Sequence, residues 1–236
     1  MEWYVVLLAA LIGYLLGSIS FARVLMRIVA PEEELTGLEF VDSAGEVRQV
    51  DTIGGTAVSM KLGAKYGGIT AILDILKVFV PTLAFRLLYP DTPYHLIAAI
   101  LGLIGHNWPI YYRFKGGSGM SAMIGGFLAV DPIGTLVTSV AGMFLGMVVL
   151  RQIFLSYLLG SWLMIPWLGF FTRDPVYLIY AIVVNGIFVL GLLPGIRSER
   201  ERRRQGIESD FDEGMDATPM GRMIKKMGAR VGLFRE

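Results

Sequence analysis

The run Gly105-His106-Asn107-Trp108-Pro109-Ile110-Tyr111-Tyr112-Arg113-Phe114-Lys115-Gly116-Gly117-Ser118-Gly119 closes one apolar segment, Tyr94 to Tyr112, and precedes another, Met120 to Val130. A polar, glycine-rich turn held between two such segments belongs at the edge of a lipid bilayer, and the segments themselves read as membrane helices. Gly116, Gly117 and Gly119 can bring several backbone N–H groups to one point. With Lys115 beside them, that point suits a cluster of anionic oxygens such as a phosphate. The same residues also fit a plain interhelical turn carrying an interfacial lysine, so the rest of the chain has to decide.

Composition agrees with a membrane protein. The chain is 54% hydrophobic and only 17% charged, against about 25% charged in soluble domains, and its mean hydropathy is +0.60. It has no cysteine and two histidines, His95 and His106, which excludes disulfides, iron–sulfur clusters and thiol nucleophiles and speaks against a metal centre. No cofactor and no nucleic-acid partner are expected.

Working outward, Trp3 to Val29 is long enough to cross a hydrocarbon core at about 20 residues per helix. It starts at Glu2 without the basic cluster or cleavage pattern of a signal peptide, and reads as the first membrane helix. It passes through Gly17-Ser18-Ile19-Ser20-Phe21, where small side chains let a neighbour come close. Residues 30–52 form a polar insertion. Alternation from Leu38 to Val50 around Ser43-Ala44-Gly45 suggests a small hairpin, against the plainer reading of a solvated loop. A second glycine-rich, basic stretch runs from Ile53 to Gly68.

Further apolar runs cover Gly68 to Tyr89, Ile133 to Leu150, Ile153 to Phe171 and Val176 to about Leu193, with turns at Pro90–Pro93, Asp131-Pro132, Arg151-Gln152 and Thr172–Pro175. The expected fold is all-α: a polytopic membrane domain over residues 1–196 with about seven transmembrane helices, followed by a tail over 197–236. Asp74 and Lys77 lie three residues apart inside one crossing, on one helix face, either as an ion pair or as charges offered to a cavity. Alternate loops carry Arg23, Arg27, Lys61 and Lys65, then Arg113 and Lys115, then Arg151, then the tail from Arg197, while the other loops hold little beyond Arg86 and Arg173. By the positive-inside rule the first set is cytoplasmic, which puts the N-terminus outside and the C-terminus in the cytoplasm. In the tail, a basic cluster from Arg197 to Arg204 suits anionic lipid headgroups, an acidic linker follows, and Pro219 to Phe234 has the spacing of an interfacial amphipathic helix interrupted by Gly221, Gly228 and Gly232.

Gly17-Ser18-Ile19 with Phe21, Leu73-Asp74 with Lys77, and Gly105-His106, Pro109, Phe114-Lys115-Gly116-Gly117 and Gly119 occur in this order. Weaker agreement runs through Gly54, Thr56, Leu62-Gly63, Gly67, Arg151, Arg197, Gly206 and Glu208. Together they resemble the bacterial membrane-integral glycerol-3-phosphate acyltransferases that use acyl phosphate as donor, the PlsY-type enzymes. The resemblance implies transfer of a fatty acyl group from acyl phosphate to the 1-hydroxyl of glycerol 3-phosphate, or of a related polyol phosphate. This is the first acylation of phospholipid synthesis, and it takes place in the bacterial inner membrane at a site on its cytoplasmic face. It also implies roles. Lys115, Gly116, Gly117 and Gly119 would hold one substrate phosphate, Lys77 or Lys61 the other, and His106 would donate to the acyl carbonyl or order the loop.

Some positions depart from the family pattern. Val50 and Thr52 stand where it has serine and asparagine, Ala57 replaces a second asparagine, Met60 an arginine, and Ser118 the second lysine. An active enzyme then needs Thr52, Thr56, Ser59 or Ser118 to replace the lost contacts. Two other readings stay open at this point: a non-catalytic lipid-binding or interaction protein on the same scaffold, and a small transporter, motivated by Asp74 and Lys77 within the membrane.

Overall fold

In lipid every backbone polar group needs an internal partner, so apolar segments fold as helices. The computed structural model describes residues 2–33, 35, 38–41, 47–50, 53–204 and, in the tail, 222, 225, 226 and 229. Its elements are α1 (Trp3–Gly17), α2 (Phe21–Val29), β1 (Leu38–Val41), β2 (Val47–Val50), α3 (Gly55–Leu62), α4 (Ala64–Leu88), α5 (Tyr94–Asn107), α6 (Met120–Val130), α7 (Pro132–Met143), α8 (Ile153–Thr172) and α9 (Pro175–Arg204). β1 and β2 pair antiparallel with Leu38 opposite Val50 and Val41 opposite Val47, so the fold is helical apart from this one hairpin among the described residues. Among the described residues, four helical stretches are long and apolar enough to cross a membrane, namely 3–29 taken through its break, 64–88, 132–149 and 175–193.

Several helix boundaries differ from those read in the sequence. The first crossing is not one helix: Ser18–Ser20 interrupts it, and α2 restarts with Ala22 and Met26 buried one turn apart and Arg23 and Arg27 on another face. The crossing from Tyr94 stops at Asn107 instead of Tyr112, because Trp108 precedes a proline and leaves the helical region, with φ −130° and ψ 71°. The stretch from Ile53 to Gly68 is mostly helical, α3 turning into α4 at Gly63, whose φ of +90° a side chain would strain. α7 gives way to a π-helical segment at Phe144–Val149. The last helix runs past Leu193 to Arg204.

Packing fixes the relative direction of the helices. Added Cβ atoms at Gly13, Gly17 and Gly105 would run into Ala98, Gly102 and Tyr14, so α1 and α5 lie parallel and very close. α4 and α6 are also parallel, with Gly125 against the Ile75 carbonyl and Arg86 Nη1 donating to the carbonyls of Ala129 and Val130 at 2.6 and 2.9 Å. α7 and α8 are antiparallel, Gly142 facing Gly160 and Gly134 facing Trp167. α9 runs antiparallel to α8 through Asn185 and the Ser161 carbonyl, 3.0 Å apart. It runs parallel to α5, through the His95–Tyr177 contact at one end and Asn107 with Ile187 at the other. The main core gathers Val78, Leu103, Phe127, Leu168, Val184 and Phe188 from α4, α5, α6, α8 and α9. A separate cluster of Ala22, Met26, Leu35, Ile53, Ala57 and Val58 seats α2 and α3.

Candidate functional site

The break in the first crossing begins the site. Ser18 and Ser20 are buried there, and the backbone between them is out of helical register, which frees the Ile19 carbonyl. Lys77 Nζ, from α4, donates to that carbonyl at 2.6 Å. One helical turn earlier on the same face, Asp74 pairs with Lys77 at 2.8 Å. Both are buried, at 3% and 8% exposure, and a pair so enclosed holds only because each charge compensates the other. The third member is His106, at the end of α5, whose Nδ1 lies 3.7 Å from Asp74 Oδ1.

The loop after α5 folds back over this trio. A 3-10 turn at Ile110–Tyr112 leads into Arg113 and Phe114, both left-handed with φ of 52° and 61°. The turn is tied down by Phe114 N–H to the Pro109 carbonyl, 3.0 Å, and Lys115 N–H to the Tyr112 carbonyl, 3.1 Å. Arg23 reaches across from α2, its guanidinium 4.3 Å above the Tyr112 ring and its Nη2 donating to the Lys115 carbonyl at 2.8 Å. Gly117 N–H donates to the His106 carbonyl at 3.2 Å, and Ile53 N–H to the Gly116 carbonyl at 3.2 Å. The glycines are needed here. A Cβ on Gly116 would strike the His106 and Asn107 carbonyls, and one on Gly117 the His106 imidazole.

These elements enclose a small cleft lined by Gly17, Ser18, Ile19, Ser20, Ile53, Asp74, Lys77, His106, Pro109, Gly116 and Gly117. Its cation, carboxylate, imidazole and glycine backbone can hold and orient an anionic, hydroxyl-bearing group.

Of the residues singled out in the sequence, the structure brings His106, Lys77, Gly116 and Gly117 together. Lys115, Ser118 and Gly119 follow in the same loop but do not line the cleft. Lys115 is exposed, and Gly119, with φ of +94°, packs against the Asn107 side chain as it caps α6. Lys61 is paired with Glu33 at 3.0 Å on the surface, Thr56 is exposed, and Ser59 is buried in the α3–α4 contact against Gly67. Thr52 lies outside the described residues. Sequence reasoning missed Ser18, the Ile19 carbonyl, Ser20 and Ile53 as cleft walls; the advance signals were the serines flanking Ile19 inside an otherwise apolar run and the place of Gly17-Ser18-Ile19 in the family resemblance.

Residues 7–196 match the family model described as Glycerol-3-phosphate acyltransferase. A glycerol-3-phosphate acyltransferase of Pseudothermotoga lettingae is 35% identical over 127 residues, covering 54% of this chain and 58% of that protein, so the match spans a little over half its length. One from Mycoplasma mycoides subsp. mycoides is 33% identical over 186 residues, covering 70% of this chain and 67% of the relative. Among solved structures, the crystal structure of PlsY, an integral membrane glycerol 3-phosphate acyltransferase in its glycerol 3-phosphate form, superposes with a TM-score of 0.69 at 27% identity, covering 87% of this chain and 94% of that one. A family match over residues 7–196, with a membrane-enzyme fold to go with it, places this chain in the glycerol-3-phosphate acyltransferase family.

Proposed function

We propose that this protein is a membrane acyltransferase that takes a fatty acyl group from acyl phosphate and places it on the 1-hydroxyl of glycerol 3-phosphate or a related polyol phosphate. The observation that carries the reading is the cleft where Lys77, His106, Gly116 and Gly117 meet beside the helix break. Acyl phosphate is already activated, with phosphate as leaving group. The protein therefore has to position two phosphorylated substrates more than it has to supply a strong nucleophile. The match of residues 7–196 to an acyltransferase family model supports this reading over a binding-only scaffold or a transporter.

The proposed topology is seven crossings, α1 with α2, then α4, α5, α6, α7, α8 and α9, with the N-terminus outside and the C-terminus cytoplasmic in a bacterial inner membrane. The packing directions support it: α1 and α5 are parallel, α4 and α6 parallel, and α7, α8 and α9 alternate, as successive crossings must. With the basic residues Arg23, Lys61, Arg113, Lys115 and Arg151 at one end, the cleft opens toward the cytoplasm. α6 has 11 residues, about 16 Å at 1.5 Å per residue, roughly half a hydrocarbon core. Since Arg86 holds its far end, the glycine loop sits recessed below the headgroups, within reach of a donor whose acyl chain stays in lipid.

The decisive experiment incubates purified protein with acyl phosphate and radiolabelled glycerol 3-phosphate. Labelled lysophosphatidate is expected, and its absence above a boiled control sinks the reading.

A further inference from the structure

The break in the first crossing leaves a helix start with its donors unspent. Ser20 occupies the N-cap of α2, where a serine hydroxyl ordinarily accepts from an N–H of the first turn, yet it makes no such bond. Ser20 is only 8% exposed and lines the cleft, and its hydroxyl has no hydrogen-bond partner among the described residues. The first helical bond of α2 runs from Val24 N–H to the Ser20 carbonyl at 3.0 Å. The N–H groups of Phe21, Ala22 and Arg23 precede it and are the donors that a helix start leaves over. Arg23, on the same turn, has a further one: its Nη1 is buried without a hydrogen-bond partner, while Nη2 is engaged with the Lys115 carbonyl. Helical side chains lean toward the helix N-terminus, so Arg23 carries its charge toward the Ser20 end. Lys77 stands there too, its Nζ 2.6 Å from the Ile19 carbonyl and 6.0 Å from the centre of the Phe21 ring.

We propose that the first turn of α2 is a phosphoryl-binding element, in which the Ser20 hydroxyl and the free N–H groups donate to the oxygens of a substrate phosphate and Arg23 supplies positive charge. The proposal rests on the acyltransferase reading and adds Ser20 and Arg23 to its binding residues. The positive end of a helix and a buried donor without an acceptor both favour an anionic oxygen. Lys77 cannot balance a phosphate alone, because Asp74 already neutralises it at 2.8 Å. Thr56, Ser59 and Ser118, expected from the sequence to make good the lost polar contacts, stand away from the cleft. The α2 turn offers a hydroxyl and a cation in their stead. Acyl phosphate and glycerol 3-phosphate share the phosphoryl chemistry, and kinetics separates them.

Initial rates are measured with each substrate varied in turn. Arg23→Gln removes the charge and is expected to raise KM for one of the two substrates about 10- to 100-fold, the range for a hydrogen bond to a charged group, with kcat little changed. The KM that rises identifies the phosphate held by α2, and two unchanged KM values overturn the proposal. Arg23 also ties down the glycine loop, so Ser20 provides the independent test. Aspartate caps helices about as well as serine, so a purely structural Ser20 predicts wild-type kinetics for Ser20→Asp. Repulsion of the phosphate is expected instead to raise the same KM by about tenfold or more; wild-type kinetics overturns the proposal. Arg27→Gln, exposed on the last turn of α2, should leave both KM values as they are, and a rise equal to that of Arg23→Gln would show a general loss of charge and overturn the site. If Arg23→Gln does not fold, Ser20→Asp decides alone. Wild-type protein that makes no lysophosphatidate removes the acyltransferase reading instead. The 31P line of inorganic phosphate then still reports the site: it should broaden with wild-type protein and not with Ser20→Asp, and equal broadening overturns the proposal.

Discussion

Glycine, hydroxyl and lysine recur in two stretches of this chain, Gly54 to Gly68 and Lys115 to Gly119. In the first, Gly55 and Gly67 face each other across the α3–α4 turn, and a Cβ on Gly67 would meet Ser59 and the Gly55 carbonyl. The polar members of that stretch turn away from the cleft, Lys61 toward Glu33 on the surface and Ser59 into the helix contact. In the second, Gly116 and Gly117 press against the backbone and ring of His106. The same composition therefore does two jobs: in one place glycine lets two helices close on each other, in the other it lets a loop close on the buried His106 ring. What the glycine faces decides the job, and that partner is distant in sequence.

Substitutions can break this contrast or sharpen it. Gly117→Ala has the largest expected effect, because its Cβ displaces the His106 ring. A loss of about 10²–10³-fold in kcat is expected, the size seen when one preorganised catalytic contact is removed, with helical content by circular dichroism unchanged. Near-normal turnover would mean the loop does not serve the chemistry. Gly67→Ala comes next: overpacking the α3–α4 contact should cost about 1–3 kcal/mol of stability, seen as a lower Tm in detergent, while turnover per folded molecule stays close to wild type. Lost turnover at an unchanged Tm would show that the first stretch belongs to the site after all.

Lys61→Gln should be milder. It removes an exposed ion pair worth about 0–1 kcal/mol and should leave KM for glycerol 3-phosphate within experimental scatter; a tenfold rise, on the order of 1.4 kcal/mol, would bring Lys61 back as a phosphate ligand. Gly68→Ala has the smallest effect. Nothing lies within 4 Å of its added Cβ, and an alanine in a helix gains about 0.5–1 kcal/mol over glycine, so a slightly raised Tm with normal activity is expected.

Much of the helical layout was legible because lipid leaves the backbone so few choices. The apolar run from Met120 to Val130, closed by Asp131-Pro132, has the same bounds as α6, and Asp131 then caps α7 through the Gly134 N–H at 2.8 Å. The break at Ser18–Ser20 was not legible, since hydropathy barely falls there and serine is tolerated within membrane helices. Nor was the extension of α9 to Arg204, because a helix continuing into water loses the apolar signal that marks it. Within the site, His106 and Lys77 stood out by being ionisable in apolar surroundings. The Ile19 carbonyl could not, because every residue has a carbonyl and only a broken helix makes one available. The Lys61–Glu33 pair joins residues on either side of the β1–β2 hairpin, and no local pattern announces it.

The close parallel seam between α1 and α5 also bears on how the protein is made. α1 ends at Gly17 and α5 starts at Tyr94, so at about 5–20 residues per second the ribosome needs roughly 4–15 s to supply the partner. Throughout that time Gly13 and Gly17, whose places are against Ala98 and Gly102, face lipid or whatever escort the insertion machinery provides. A nascent chain halted before residue 94 would hold α1 in the bilayer with its seam open, ready to be captured by α5 when synthesis resumes.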